Sequence, residues 1–181
     1  MHRSLIPVAL ASFLAGTAGT ARTAHAEVAD AAAGGFTVKL TATVAAPAAK
    51  AWAALVEPRS WWDKSHTWSG DAANLSLEAT PGGCFCEKLP GGGGVHHMTV
   101  VYADPGKLLR LTGGLGPLQD LAIAAVMTFK LTEAQGKTTL EVTYKVGGYA
   151  PTGLAGLAKP VDGVLGEQVA RWKRRVETGK P

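Results

Sequence analysis

The chain has 181 residues, of which 46% are hydrophobic, 18 are basic and 14 are acidic, giving a net charge of +4. That length suits one domain around one core. So even a charge balance points to no particular partner, and past the first residues no apolar run approaches the roughly 18 residues of a membrane-spanning helix.

Residues 1–26 read as a secretory signal: Met1, His2 and Arg3 make a short positive start, an apolar run follows, and Ala24-His25-Ala26 is an A-x-A cleavage site. Position 17 is Thr, not Cys, so Leu14-Ala15-Gly16 does not introduce a lipid anchor. Removing 26 of the 181 residues leaves 155, and because the leader holds two basic residues and no acidic one, the charge falls from +4 to +2. The expected product is periplasmic or secreted, without a transmembrane segment. Residues 27–35, small and ending in glycine, are expected to form a flexible tether, with the domain proper over 36–179.

From Phe36 the residues alternate, with Val38, Leu40, Ala42 and Val44 on one side and Thr37, Lys39, Thr41 and Thr43 on the other, which predicts a half-buried strand. Pro47 suits a first helical position before Trp52, Leu55 and Val56, and a second short helix or turn is expected over 60–64. Six further strands are predicted over 75–79, 84–89, 95–103, 108–112, 121–131 and 138–146. They are separated by turn-forming runs such as Pro81-Gly82-Gly83, Asp104-Pro105-Gly106 and Gln135-Gly136. One-sided apolar faces and short connections predict an antiparallel meander, since parallel strands need crossover helices. Finally, Leu154, Leu157, Val161, Leu165, Val169, Trp172 and Val176 make one stripe on a helix over 151–178. Pro160 is expected to kink or split that helix, and its glycines, Gly163 among them, to mark a close approach by another element. Gly179 is expected to cap its end.

This order of elements, with Val44-Ala45-Ala46-Pro47 before Trp52 and Leu55, then Trp61-Trp62, Pro81-Gly82-Gly83, Asp104-Pro105 and Thr138-Thr139-Leu140-Glu141-Val142, resembles the START-like (SRPBCC) superfamily. Its nearest branch looks like the one related to the activator of heat-shock-protein-90 ATPase. The resemblance implies an α+β helix-grip fold, a curved seven-stranded antiparallel sheet around a long C-terminal helix, with two short helices after the first strand. It also implies an apolar cavity for a small hydrophobic ligand; no cofactor is expected. The superfamily has no universal catalytic residues, so none is assigned. The expected lining is Trp61, Trp62, His66, Met98, Tyr102, Met127, Phe129, Leu157 and Trp172. Two rival functions stand beside binding: a cyclase- or dehydratase-type enzyme using a cavity His or Tyr as acid or base, and a protein-interaction module with a filled core.

Trp61-Trp62-Asp63-Lys64-Ser65-His66-Thr67-Trp68 lies near the cavity entrance in the resembled fold. Its indoles either stack on a flat ligand or cap the core, and Asp63 or Asp71 is the expected partner of His66. Cys84 and Cys86, two apart on a strand, face the same side. A disulfide would require the strand to pucker, free packed thiols are the alternative, and a metal site would recruit only one of His96 and His97. Three ligands make a poor zinc site, so no metal is assigned. The basic run 171–175 reads as the solvated end of a helix, and nucleic acid is not an expected partner.

Overall fold

The computed structural model describes residues 25–181, so the signal sequence lies, but for its last two positions, outside the described residues. Eight strands form one antiparallel sheet: β1 (His25–Ala32), β2 (Gly35–Val44), β3 (Leu75–Leu77), β4 (Cys84–Lys88), β5 (Gly94–Asp104), β6 (Leu108–Thr112), β7 (Ala122–Ala134) and β8 (Lys137–Tyr149). Their spatial order is β1-β2-β8-β7-β6-β5-β4-β3, so every neighbour but one is also a chain neighbour. The seven predicted strands are all present. The eighth, β1, replaces the expected tether at 27–35: Val28 pairs with Val38 and Ala32 with Gly35 across a two-residue turn. It covers the edge that β2 would otherwise present.

Helix α1 (Ala48–Leu55) and three single 3-10 turns, Pro58–Ser60, Lys64–His66 and Ala72–Asn74, fill the crossing from β2 to β3. Helix α2 (Ala158–Thr178) runs against the concave face, preceded by a 3-10 turn over Ala155–Leu157. Pro160 therefore falls in the first turn of α2, where its missing N–H has no intrahelical partner to lose, and it starts the helix instead of kinking it. Leu154, Leu165, Val169, Trp172 and Val176 are buried as the stripe predicts. Gly179, at φ 78°, closes α2 with its N–H on Arg175 O at 2.9 Å.

The close approach expected at the glycines is present at Gly153, before α2, where a Cβ would meet Ala33 at 3.4–3.5 Å, but not at Gly156 or at Gly163 within α2, where it would meet nothing within 4 Å. Gly163→Ala should therefore stabilise the protein by about 0.5–1 kcal/mol, the helix-propensity difference alone. Thermal melting should show a rise of roughly 2–4 °C, and no rise would mean that something does crowd this face.

Candidate functional site

The concave face of the sheet is not filled evenly. Under the C-terminal half of α2, Trp172, Val169, Leu140 and Met127 close the space. Under its N-terminal half lies a cavity of about 660 Å³. Phe85, His97 and Tyr144 rise into it from the sheet, Leu157, Val161 and Leu165 face it from α2 and its approach, and the Trp62–Trp68 and Leu115–Leu121 segments form its sides.

The Trp62–Trp68 wall is held by a network reaching 105 and more residues along the chain. Gln168 Oε1 accepts from Asp63 N at 2.8 Å, and Arg171 bonds both Trp61 O (2.7 Å) and Asp63 Oδ2 (3.0 Å). Asp63 also caps the Lys64–His66 turn through Ser65 N, and the Ser65 backbone and hydroxyl bonds, aided by Arg171, hold its carboxyl below the usual range. Asp71 likewise caps the next turn through Ala73 N. Both carboxylates expected to orient His66 are thus spent as caps. The partner of His66 is Glu167 of α2, with Nε2 to Oε2 at 3.2 Å, half-exposed at the cavity mouth.

Of the nine expected lining residues, Trp62, His66 and Leu157 line the cavity. Trp61 is tied to the core by Nε1–H on Ala54 O at 2.7 Å, and Trp172, fully buried, donates to Ala51 O at 3.3 Å. Met98, Met127, Phe129, Trp61 and Trp172 border two deeper voids of about 20 and 10 Å³, room for a water at most. They are packing residues. Tyr102 is on the outside of the sheet, 47% exposed beneath Arg110. The alternation that places Met98 and Val100 inward is broken after Val100, where Val101 is an extra residue opposite β6, so Tyr102 turns outward.

A second bulge creates the feature that the sequence reading did not anticipate. Phe85 pairs with Met98 and Cys86 with His96, leaving His97 as the extra residue on β5. His97 and Met98 both therefore point inward, while His96 remains outside. His97 Nε2 meets Glu87 Oε2 at 3.0 Å, and the Glu87 side chain is fully buried. The same carboxylate accepts from Trp68 N at 3.1 Å and from Ser69 N. Burial pushes the Glu87 carboxyl up, but the bonds from Ser69, Trp68 and His97 outweigh it and hold it below its ordinary value. For His97 burial prevails over the attraction of Glu87, lowering its pKa and keeping it neutral near pH 7. An aromatic row, Trp62 to Phe85 (5.6 Å) to His97 (5.1 Å between ring centres), completes this wall. Tyr144 adds a hydroxyl already committed, donating to Gly113 O and accepting from Leu115 N at 3.2 Å each, with burial raising its pKa to about 12. A carboxylate at position 87, in step with Phe85 on an otherwise apolar face, was the legible signal for this pair.

On the outer face Cys84 and Cys86 are joined as a disulfide, with Cα atoms 5.4 Å apart, opposite the bulge that His97 makes in β5. His96 Nδ1 lies 3.4 Å from Cys84 Sγ and is separated from the cavity by the sheet.

A sheet gripping a terminal helix, with a mostly apolar chamber between them, defines a helix-grip protein. The chain belongs to the polyketide cyclase/dehydrase and lipid transport family, a START-like (SRPBCC) family whose model matches residues 35–177. Among solved structures it is similar to protein MLL2253 from Mesorhizobium loti (22% identity, 76% of this chain and 94% of that one, TM-score 0.54). It is also similar to EF2215 from Enterococcus faecalis (18%, 87% and 79%, 0.58). A third, DynU16 of the dynemicin biosynthetic locus, matches at 23% over 80% of this chain and 48% of that one, with TM-score 0.56. At these identities the likeness is one of fold. No curated protein matches the chain in sequence.

Proposed function

We propose that this protein is exported and binds a small, mostly apolar molecule in the chamber beneath the N-terminal half of α2, without a cofactor. The observation that carries this is the cavity itself, about 660 Å³ and walled by Trp62, Phe85, Leu118, Leu157 and Leu165. That volume falls within the range of small-molecule sites, and the family's description, which includes lipid transport, agrees with it. The pattern of residues 1–26 supports export. A filled interaction module of the kind suggested by the ATPase-activator branch fits less well, because the space is open.

N-phenyl-1-naphthylamine, which fluoresces in apolar surroundings, should bind the purified protein. Val161→Trp, which puts an indole into the chamber, should weaken it about tenfold or more. A cooperatively folded protein that binds no such probe and carries no molecule in native mass spectrometry would overturn this reading.

A cyclase- or dehydratase-type reaction is favoured by one observation, that His97 stands inside the chamber while His66 lies at its mouth. If dehydration occurs there, the molecule recovered from a His97→Phe variant should be heavier by one water than that recovered from the wild type.

A further inference from the structure

We infer that the chamber selects an apolar ligand carrying a single neutral hydrogen-bond donor, best a phenol or enol hydroxyl, and that His97 recognises it by accepting that bond at Nδ1. This rests on the binding reading above and names the ligand class.

The assignment follows from how the ring is held. Glu87, buried and already accepting from two backbone N–H groups, is an ionised acceptor, so the proton between it and His97 sits on Nε2. A neutral imidazole carrying its proton at Nε2 has a lone pair at Nδ1. Nδ1 has no hydrogen-bond partner among the described residues, although the side chain is only 7% exposed and lines the cavity. The other polar side-chain atoms on the buried part of the wall are spoken for: Trp62 Nε1–H donates to His66 O at 2.9 Å, and the Tyr144 hydroxyl is held by Gly113 and Leu115. Thr67 Oγ1–H donates to Lys64 O at 2.7 Å, and Ser65, His66, Trp68 and Thr152 stand exposed at the mouth, where water competes for them. One unpaired acceptor therefore faces an apolar space. A ligand with no donor leaves it unpaired, a ligand offering only a carbonyl opposes lone pair to lone pair, and a cation would lose its hydration to an apolar wall. A neutral O–H satisfies it. Glu87 acts through His97 as a positioning residue, fixing which nitrogen presents the lone pair.

The test uses two probes of nearly one shape, 2-naphthol and 2-methylnaphthalene, measured by displacement of N-phenyl-1-naphthylamine from the full-length mature protein. Replacing His97 by Phe should weaken 2-naphthol about tenfold, the worth of one net hydrogen bond, and leave 2-methylnaphthalene within about twofold. In the wild type, the ¹⁵N resonance of His97 Nδ1 should lie in the unprotonated range. It should shift toward the protonated range on adding 2-naphthol and stay in place on adding 2-methylnaphthalene. Equal losses of both probes in the variant, or a wild-type Nδ1 signal indifferent to the hydroxyl, would overturn the inference while leaving the binding reading intact. If neither probe binds the wild type, both fall.

Discussion

Trp172→Ala should cost about 3–5 kcal/mol of folding stability, because the indole is completely buried and the space around it is already filled. Two effects combine. The ring packs where α2 closes onto the sheet beside Val169 and Leu140, so its removal leaves a hole that rigid strands do not collapse to fill. Its Nε1–H also reaches Ala51 O at 3.3 Å, a bond between α2 and α1 added to the one that carbonyl makes within its own helix, and alanine removes it. Trp172→Phe keeps most of the volume and loses the donor, and should cost less, about 0.5–1.5 kcal/mol for the bond. For a domain of this size the alanine variant should melt roughly 10 °C or more below the wild type. Equal melting temperatures would mean that α2 is not gripped along this half, and the separation drawn here between a packed half and an open half would be wrong.

That separation was the part of the architecture least legible beforehand. Period-two alternation marked the strands at 36–44, 121–131 and 138–146 because each has one face on the core and one in water, turn-forming runs marked off the other four, and the helix stripe was readable because Leu165, Val169, Trp172 and Val176 recur on one side. β1 escaped notice for a physical reason. It holds Val28 as its one large apolar residue, and it is held by backbone pairing to β2, which leaves no side-chain pattern. Tyr102 was misread, and the place of His97 in the cavity wall went unpredicted, for a common cause. Each sits at or just beyond a bulge in β5, and a bulge depends on the register of the partner strand, which local sequence does not encode. The cavity was expected between sheet and helix with no end of the helix singled out, and Met98, Met127 and Trp172 were placed in its wall. The large side chains in fact gather at one end and leave the other open. Glu87 was the missed opportunity, since its parity with Phe85 already put a charge on an inward face.

Removing that charge should be as costly as removing the indole. Glu87→Ala leaves Trp68 N–H, Ser69 N–H and His97 Nε2–H without their acceptor in a buried place, a loss of about 3–5 kcal/mol. The same pair makes the wild type acid-sensitive in two stages. His97 has a folded pKa below its ordinary 6.5, so below that pH the unfolded chain takes up a proton that the folded one refuses, and stability falls with pH until the folded value is reached. Glu87 has a folded pKa below its ordinary 4.5, so its contribution is complete above that pH and drains away as pH drops through the folded value. Both losses run in the same direction, because in each case the unfolded state binds more protons. Urea midpoints measured from pH 7.5 to pH 3.5 should therefore fall first from about pH 6.5 and again below about pH 4.5. His97→Phe should flatten the first descent and keep the second. If the variant and the wild type lose stability in parallel between pH 7 and pH 5, the imidazole is not held neutral in the fold, and the lone pair assigned to the cavity has no basis.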